Sequence, residues 1–191
     1  MNILIAEDDA ITLRRLQHFL EKWDHHVITA VNGMVNAGGL HFIADSDLIV
    51  CAEHATFFDT HVKVGLIAGL EPVGLTRRIP LEAVLRMALL GGAERVTAEQ
   101  ALQLGLVGEV VPAADLMRRA RELAGRIRQH SPTALARSKQ VIWSSLEVGL
   151  HEALGDTWKV IREHVDCPDL REGSVAFVEK RKPRWEPYTG N

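Results

Sequence analysis

The chain has 191 residues, of which 47% are hydrophobic and 25% are charged, and its formal net charge at pH 7 is −3. This length suits one domain, or slightly more, with a substantial core. The small negative charge gives no reason to expect a nucleic-acid or membrane partner. No segment approaches the run of about 18 apolar residues that a transmembrane helix needs, and the N-terminus lacks the apolar core of a signal peptide. These features predict a cytoplasmic protein.

The two cysteines, Cys51 and Cys167, lie far apart in the sequence and form no C-x-x-C pattern. Cys51 follows an apolar run and is expected in the core, whereas Cys167 lies beside a proline in a predicted loop. Their spacing therefore indicates neither a disulfide framework nor a zinc site.

The first 26 residues predict a strand, a helix and the approach to a second strand. Leucines recur at helical spacing after the acidic triplet Glu7-Asp8-Asp9. This stretch, ILIAEDDAITLRRLQHFLEKW followed by HHVITA, resembles the opening of a response-regulator receiver domain, which implies a βαβ start. In receivers such an acid pair, here Glu7 and Asp8, holds magnesium, an ion that prefers carboxylate ligands. The alternative is that the three carboxylates only cap the helix.

Residues 27–66 predict a buried strand, a glycine turn, a short helix, a second buried strand and a polar loop. The first strand, Val27 to Val31, ends on the turn signal Asn32-Gly33. Ala37-Gly38-Gly39 then precedes a helical run from Leu40 to Ala44. Glycines at such a turn allow a ligand to approach the backbone, and the first N–H groups of a helix attract negative charge.

The remainder of the chain predicts helices separated by few strands. One helix should cover residues 81–90, and another should cover residues 98–104 behind Thr97 as its N-cap. After a strand at residues 106–111, only helices are predicted, at residues 113–129, 131–148, 150–165 and 170–180. In the second of these we expect Leu135, Ile142 and Leu146 to face inward. So many helices cannot all cover a small sheet, which suggests that some pack on another subunit.

Several segments of the chain carry the motifs of a known family: AVNGMVNAGGLHFIADSDLIV, ATFFDTHVKVGLIAG, GGAERVTAEQALQLGLVGEVVP and AFVEKRKPRW. They resemble the crotonase (enoyl-CoA hydratase/isomerase) superfamily over residues 27–185. The resemblance implies an α/β fold with a partial crotonase-like ββα spiral core at residues 27–112. A helical C-terminal part, residues 113–191, would serve oligomerisation and CoA contact. The receiver-like fragment, residues 1–26, then stands where a crotonase has an N-terminal half of several strands, so the chain looks chimeric and truncated.

The resemblance also implies a substrate-binding site for acyl-CoA. Gly38 and Gly39 match the turn that forms half of an oxyanion hole for a thioester enolate. Near the end of the chain, Phe177 and Lys180 fall in the region that contacts CoA in the family. A solvated basic tail is the alternative explanation for the lysine.

The catalytic positions depart from the family pattern. His41 and His61 stand where hydratases of the family carry two glutamates, and Asp59 and Glu71 are nearby carboxylates that could orient or replace them. Imidazole suits acid–base work because it titrates at about pH 6.5. The alternative is that His41 packs in a helix and His61 is a surface loop residue. A metal site on His41, Asp59 and His61 is disfavoured, because their spacing matches no ligand pattern.

Three functions remain open at this point. The first is an acyl-CoA-processing lyase or isomerase that needs no cofactor beyond the CoA of its substrate. The second is a non-catalytic crotonase fragment that acts only in self-association or binding. The third is a remnant of a phosphorelay receiver. The resemblance to crotonases also implies a homo-oligomer, either a trimer or a pair of trimers.

Overall fold

The structure is a computed structural model that describes residues 2–4 and 25–190. Its strands are β1 (Asn2–Leu4), β2 (His25–Val31), β3 (Met34–Asn36), β4 (Leu48–Ala52), β5 (Thr56–Phe58), β6 (Val96–Thr97) and β7 (Glu109–Val111). Its helices are α1 (Leu40–Asp45), α2 (Leu70–Leu75), α3 (Leu81–Leu89), α4 (Ala98–Leu104), α5 (Leu116–Ile127), α6 (Pro132–Ser144), α7 (Leu150–His164) and α8 (Pro168–Val178). The predicted receiver-like helix, with Glu7 and Asp8, lies outside the described residues.

The chain divides into two compact units. The sheet unit includes His26–Ala124 and contains nearly all of the strands. The helical unit includes Gly125–Asn191 and contains α6, α7 and α8. The predicted mixture of an α/β part followed by a helical part is therefore what the described residues form.

The larger sheet has four strands in the order β1-β2-β4-β7. β2 runs parallel to β4 with Val31 opposite Cys51, and β4 runs parallel to β7 with Cys51 opposite Val110. All seven residues of β2 are buried. Parallel strands are usually covered on both faces and read as near-continuous apolar runs, which is why the sequence pattern identified β2 and β4.

A second sheet of three strands, β3-β5-β6, was absent from the prediction. β3 pairs in parallel with β5, so that Asn36 lies opposite Phe58, and β5 pairs antiparallel with β6. These strands have only two or three residues, too few to show an alternating pattern. Successive strands thus enter different sheets before a helix follows: β2 and β3 precede α1, and β4 and β5 repeat the step. This is the ββα arrangement that the resemblance implied.

The core of the sheet unit lies around α1, where Leu40 and Ile43 are fully buried together with Phe57 of β5 and Leu75 of α2. The predicted N-cap of α4 is confirmed. Thr97 accepts a hydrogen bond from the Gln100 backbone, and the Gln100 side chain accepts one from the Thr97 backbone. The reciprocal pair satisfies two N–H groups that a helix start leaves without partners.

The helical unit corrects two predicted helix boundaries and one predicted buried face. α6 ends at Ser144 rather than residue 148, and the expectation that Ile142 and Leu146 face inward was wrong, since their side chains are 65% and 49% exposed. Ala136 and Lys139 occupy the buried face instead. Apolar spacing alone does not determine which face of a helix is covered, because an apolar stripe can also be left exposed. α8 begins at Pro168 behind Cys167, earlier than predicted, because proline is compatible with the first helical position.

Candidate active site

The site begins at one edge of the smaller sheet, where two parallel strands end side by side. Asn36 ends β3 and lies opposite Phe58, which ends β5. The segment after β3 carries the glycine turn, and the segment after β5 carries His61. The Thr60 hydroxyl donates a 3.0 Å hydrogen bond to the Asn36 side-chain oxygen and links the two segments. The fold thus brings two predicted parts of the site to one sheet edge.

The glycine turn is a short 3₁₀ helix, Ala37–Gly39, that leads directly into α1. Ala37 has φ = 48°, a left-handed conformation that is uncommon for a residue with a side chain. A Cβ on Gly39 would lie 3.3 Å from Val35 Cγ1, so packing within the chain explains this glycine. A Cβ on Gly38 would meet no atom within 4 Å, so packing does not explain that one. Their roles toward a ligand stay predictions.

His61 contacts a carboxylate that is completely buried. Its Nδ1 lies 2.9 Å from Oδ1 of Asp59, and its backbone N–H donates to the same oxygen at 2.7 Å. Oδ2 of Asp59 is buried and has no hydrogen-bond partner among the described residues. The His61 side chain is 20% exposed. When the ring proton is on Nδ1 and Nδ1–H donates a hydrogen bond to Asp59, the other ring nitrogen, Nε2, is an acceptor. This is the form that a general base requires.

His41 lies between two other carboxylates. Its Nε2 is 3.4 Å from Oε1 of Glu71, which is largely buried, and its Nδ1 is 3.6 Å from Oδ2 of Asp45. Asp45 lies one helical turn after His41 on α1, where side chains four residues apart are neighbours. The Asp45 side chain is 41% exposed, and its partial burial raises the pKa of the carboxyl, while the nearby charges of His41 and Arg78 partly oppose this rise. The carboxylate at position 45 was not predicted, although the four-residue spacing was visible in the sequence.

Close packing of α2 on α1 places Glu71 beside His41. A Cβ on Gly74 would lie only 2.9 Å from the Cβ of Ala44, so the two helices approach at a point where only glycine fits. Arg78 follows α2 and donates from Nε to the Ala44 carbonyl at 2.7 Å, and also to the Ser46 carbonyl. Burial lowers the pKa of Arg78, and the charges of Asp45 and Asp47 partly oppose this. These contacts hold the end of α1.

The predicted CoA-contacting residues lie in the helical unit. Phe177 belongs to α8 and is 85% exposed, and Lys180 follows this helix with φ = 53°. A cavity of about 580 Å³ in the same unit is bounded by Phe177, Trp185 and Asp169, among other residues. The contact of Phe177 and Lys180 with CoA stays a prediction.

Metal-binding and membrane-spanning features are both absent from residues 2–4 and 25–190. No group of three or more histidine, cysteine, aspartate or glutamate side chains in these ranges is arranged to hold a metal ion. No helix among these residues is long and apolar enough to cross a membrane. The magnesium alternative on Glu7 and Asp8 falls outside this part of the chain.

Comparison with known proteins identifies relatives over almost the whole chain. The enoyl-CoA hydratase/isomerase family matches residues 7–188, including most of the stretch that resembles a receiver. A carnitinyl-CoA dehydratase of Escherichia coli K12 is 35% identical over 168 residues, which are 85% of this chain and 64% of that protein. The chain thus spans less than two thirds of the length of this relative.

Solved structures give the same result. An enoyl-CoA hydratase/isomerase from Mycobacterium paratuberculosis is 39% identical, with a TM-score of 0.83 over 85% of this chain and 64% of that one. An enoyl-CoA hydratase from Mycobacterium tuberculosis H37Rv is 32% identical, with a TM-score of 0.79 over the same shares of the two chains. Family match, sequence identity and fold all agree. The chain belongs to the enoyl-CoA hydratase/isomerase family.

Proposed function

We propose that this chain acts on acyl-CoA thioesters as a hydratase- or isomerase-type enzyme in which His41 and His61 replace the family's two glutamates. The observation that carries the proposal is the contact of His61 Nδ1 with the fully buried Asp59 at 2.9 Å. A buried carboxylate that fixes an imidazole in one orientation is a recurring arrangement in acid–base catalysis. The names of the relatives, carnitinyl-CoA dehydratase and enoyl-CoA hydratase, support an acyl-CoA substrate.

Hydration of an enoyl thioester would use the two histidines in succession. The oxygen of a water molecule bonds to Cβ while Nε2 of His61 accepts a proton from that water. As this bond forms, the electron pair of the C=C bond moves toward the thioester carbonyl, whose oxygen becomes an enolate oxygen. A proton delivered to Cα, with His41 as the donor, restores the carbonyl and completes the addition of one water molecule. Exchange with solvent then removes the proton from His61 and returns one to His41. Dehydration follows the same steps in reverse.

The enolate oxygen needs hydrogen-bond donors, and the glycine turn is the proposed source of one. The first N–H groups of a helix have no partner within that helix, and Gly38 and Gly39 lie at such a start. Loss of one oxyanion donor typically lowers kcat by about 100- to 1,000-fold. No cofactor beyond the CoA of the substrate enters these steps. Phe177 and Lys180 are proposed to contact CoA, because an ammonium group can bind phosphate.

Self-association is the second candidate function, and exposed apolar side chains on α7 favour it. Leu150, Leu154 and Trp158 are spaced four residues apart on one side of this helix and are 76%, 60% and 58% exposed. Such stripes are normally covered by a partner. A homo-oligomer, a trimer or a pair of trimers, is therefore proposed. Light scattering of the wild type and of Leu154→Glu tests it, and a monomeric wild type at high concentration would contradict it.

Calorimetry and absorbance together test the proposed activity. We expect crotonyl-CoA to bind with measurable heat and its enoyl absorbance to fall on incubation with the protein. Acetyl-CoA, which has no double bond to hydrate, should bind without this absorbance change. Absence of binding at millimolar crotonyl-CoA would contradict an acyl-CoA site, and binding without turnover would favour a non-catalytic crotonase fragment that only binds.

A further inference from the structure

Helix α3 is followed by two consecutive glycines in the left-handed conformation. Gly91 has φ = 58° and Gly92 has φ = 80°. One left-handed glycine is sufficient to end a helix, so the second requires another explanation. Such backbone angles are available to glycine without the steric penalty that a Cβ brings.

The second explanation is a close approach to the segment that carries His61. A Cβ on Gly92 would lie 3.0 Å from Cγ2 of Thr60, 3.1 Å from Cδ2 of Phe58 and 3.6 Å from the carbonyl oxygen of Asp59. A Cβ on Gly91 would lie 3.1 Å from Cγ2 of Val62. The glycine corner, Gly91 and Gly92, therefore packs its backbone directly against residues 58–62.

These neighbours have little freedom to move away from an added side chain. Phe58 and Asp59 are buried, and the Thr60 hydroxyl is hydrogen-bonded to Asn36, which precedes the glycine turn. A methyl group at position 92 would thus press on Thr60 and shift it relative to Asn36. The displacement would reach both segments of the candidate site, the one with His61 and the one with Gly38.

We infer that Gly92 is a positioning residue for the acid–base group of this enzyme. By leaving out a side chain, it allows the end of α3 to hold residues 58–62 so that Asp59 and His61 keep their position beside the glycine turn. This inference rests on the proposed function, because it assigns the corner a role through His61. Gly92 lies outside the candidate site and is not proposed to contact the substrate, yet its substitution should lower the rate of the proposed reaction.

The test compares Gly92→Ala with Gly105→Ala as a matched control. Gly105 has φ = 79°, so an alanine there meets nearly the same backbone strain, but its Cβ would meet no atom within 4 Å. We expect Gly92→Ala to lower kcat for crotonyl-CoA hydration by about 100-fold with little change in KM, the effect of misplacing a catalytic group by about 1 Å. Gly105→Ala should retain nearly the wild-type kcat.

A structural readout accompanies the kinetics and does not depend on turnover. The imidazole resonances of His61, assigned by their loss in His61→Ala, should titrate at a different midpoint in Gly92→Ala and at the wild-type midpoint in Gly105→Ala. The double variant Gly92→Ala/Thr60→Ser removes the methyl group that the new Cβ would strike and keeps the hydroxyl for Asn36. We expect it to recover part of the lost activity and to approach the wild-type midpoint.

The outcomes separate the two claims. If Gly92→Ala matches Gly105→Ala in both kcat and the His61 titration, the inference is overturned and Gly92 only ends the helix. If His61→Ala keeps the wild-type rate, the proposed function fails, and the His61 titration alone then decides the role of Gly92. If Gly92→Ala does not fold, the double variant takes its place. Its new Cβ would still lie 3.1 Å from Cδ2 of Phe58, so its kcat should stay below the wild-type value and its His61 midpoint should differ from the wild-type one. Wild-type values of both would overturn the inference.

Discussion

Oδ1 of Asp59 accepts two hydrogen bonds from one residue, the backbone N–H of His61 at 2.7 Å and its ring Nδ1 at 2.9 Å. The hydrogen bond from the backbone holds the loop in place, and the one from the ring orients the imidazole. A single buried oxygen therefore determines the position of the loop and the orientation of the ring. The carboxylate of Asp59 that makes both contacts is completely buried.

Removal of the charge of Asp59 should impair catalysis more than folding. Asp59→Asn keeps the side-chain volume and an oxygen that can accept from both the backbone and the ring of His61, but it removes the negative charge beside the imidazole. We expect kcat for crotonyl-CoA hydration to fall by about 100-fold or more, within the range of general acid–base contributions. Steady-state kinetics provides the measurement, with thermal unfolding as the control for folding. A variant with the wild-type kcat would show that the charge of Asp59 does not assist a catalytic base.

Two helical glycines, one at the close approach of α2 to α1 and one on the open side of α7, should respond in opposite ways to substitution by alanine. Gly74→Ala places a Cβ 2.9 Å from that of Ala44 and should destabilise the protein by about 1–3 kcal/mol, the usual effect of overpacking. Gly155 lies on α7, and a Cβ added there would meet no atom within 4 Å. Gly155→Ala should therefore stabilise the protein by about 0.5–1 kcal/mol through the higher helix propensity of alanine. Urea unfolding measures both free energies. Equal effects of the two substitutions would contradict the packing at Gly74.

The raised pKa of Asp45 predicts a pH-dependent effect of Asp45→Asn. Burial raises the folded-state pKa above the ordinary 3.8, so ionisation of this carboxyl opposes folding. This unfavourable contribution is fully present above the folded pKa and disappears as the pH falls toward 3.8. The gain in the free energy of unfolding that Asp45→Asn gives over the wild type should therefore be largest near neutral pH.

Urea midpoints of both proteins at neutral pH and at about pH 4 measure this difference; that lower value lies near the ordinary pKa of an aspartate. The advantage of the variant should shrink at the lower pH. An advantage that grows on acidification would mean that the charges of His41 and Arg78, rather than burial, dominate the pKa of Asp45.

The two cysteines should differ in reactivity. Cys51 is fully buried, and burial raises the pKa of its thiol to about 11, whereas Cys167 is half-buried. Only the thiolate reacts readily with alkylating reagents, so mild alkylation of the folded protein should modify Cys167 first. Mass spectrometry of the products locates the label, and Cys167→Ser should remove the rapid phase. Early labelling of Cys51 would contradict its burial.

Much of the fold could be predicted because long apolar runs and capping residues determine it locally. The strand at Val27 to Val31 and the helix behind Thr97 carry their own signals in neighbouring residues. The smaller sheet carries none, because the pairing of Asn36 with Phe58 joins three-residue strands that are distant in sequence. Ile142 shows a second limit of sequence-based prediction. Its spacing places it on an apolar face of a helix but does not show whether another element covers that face, and the residue is exposed.

The residues of the candidate site and its local pair, Asp59 with His61, could be predicted, but its non-local pair could not. Resemblance to the family identified His41 and His61, and proximity in sequence suggested Asp59 as a partner for His61. The contact between His41 and Glu71 depends on how two helices pack at Gly74 and Ala44, and no local pattern encodes such a distance. The positioning of residues 58–62 by Gly92 is non-local for the same reason.

The most direct test of the account is the rate of crotonyl-CoA hydration by the wild type and by three histidine variants. His54→Ala serves as the control, because His54 is an exposed residue of the same unit whose Nε2 lies 2.7 Å from the Asn32 carbonyl oxygen. We predict that His41→Ala and His61→Ala each lower kcat by about 100-fold or more, while His54→Ala stays near the wild-type rate. A wild-type rate for either His41→Ala or His61→Ala would contradict the proposed catalysis by two histidines in this chain.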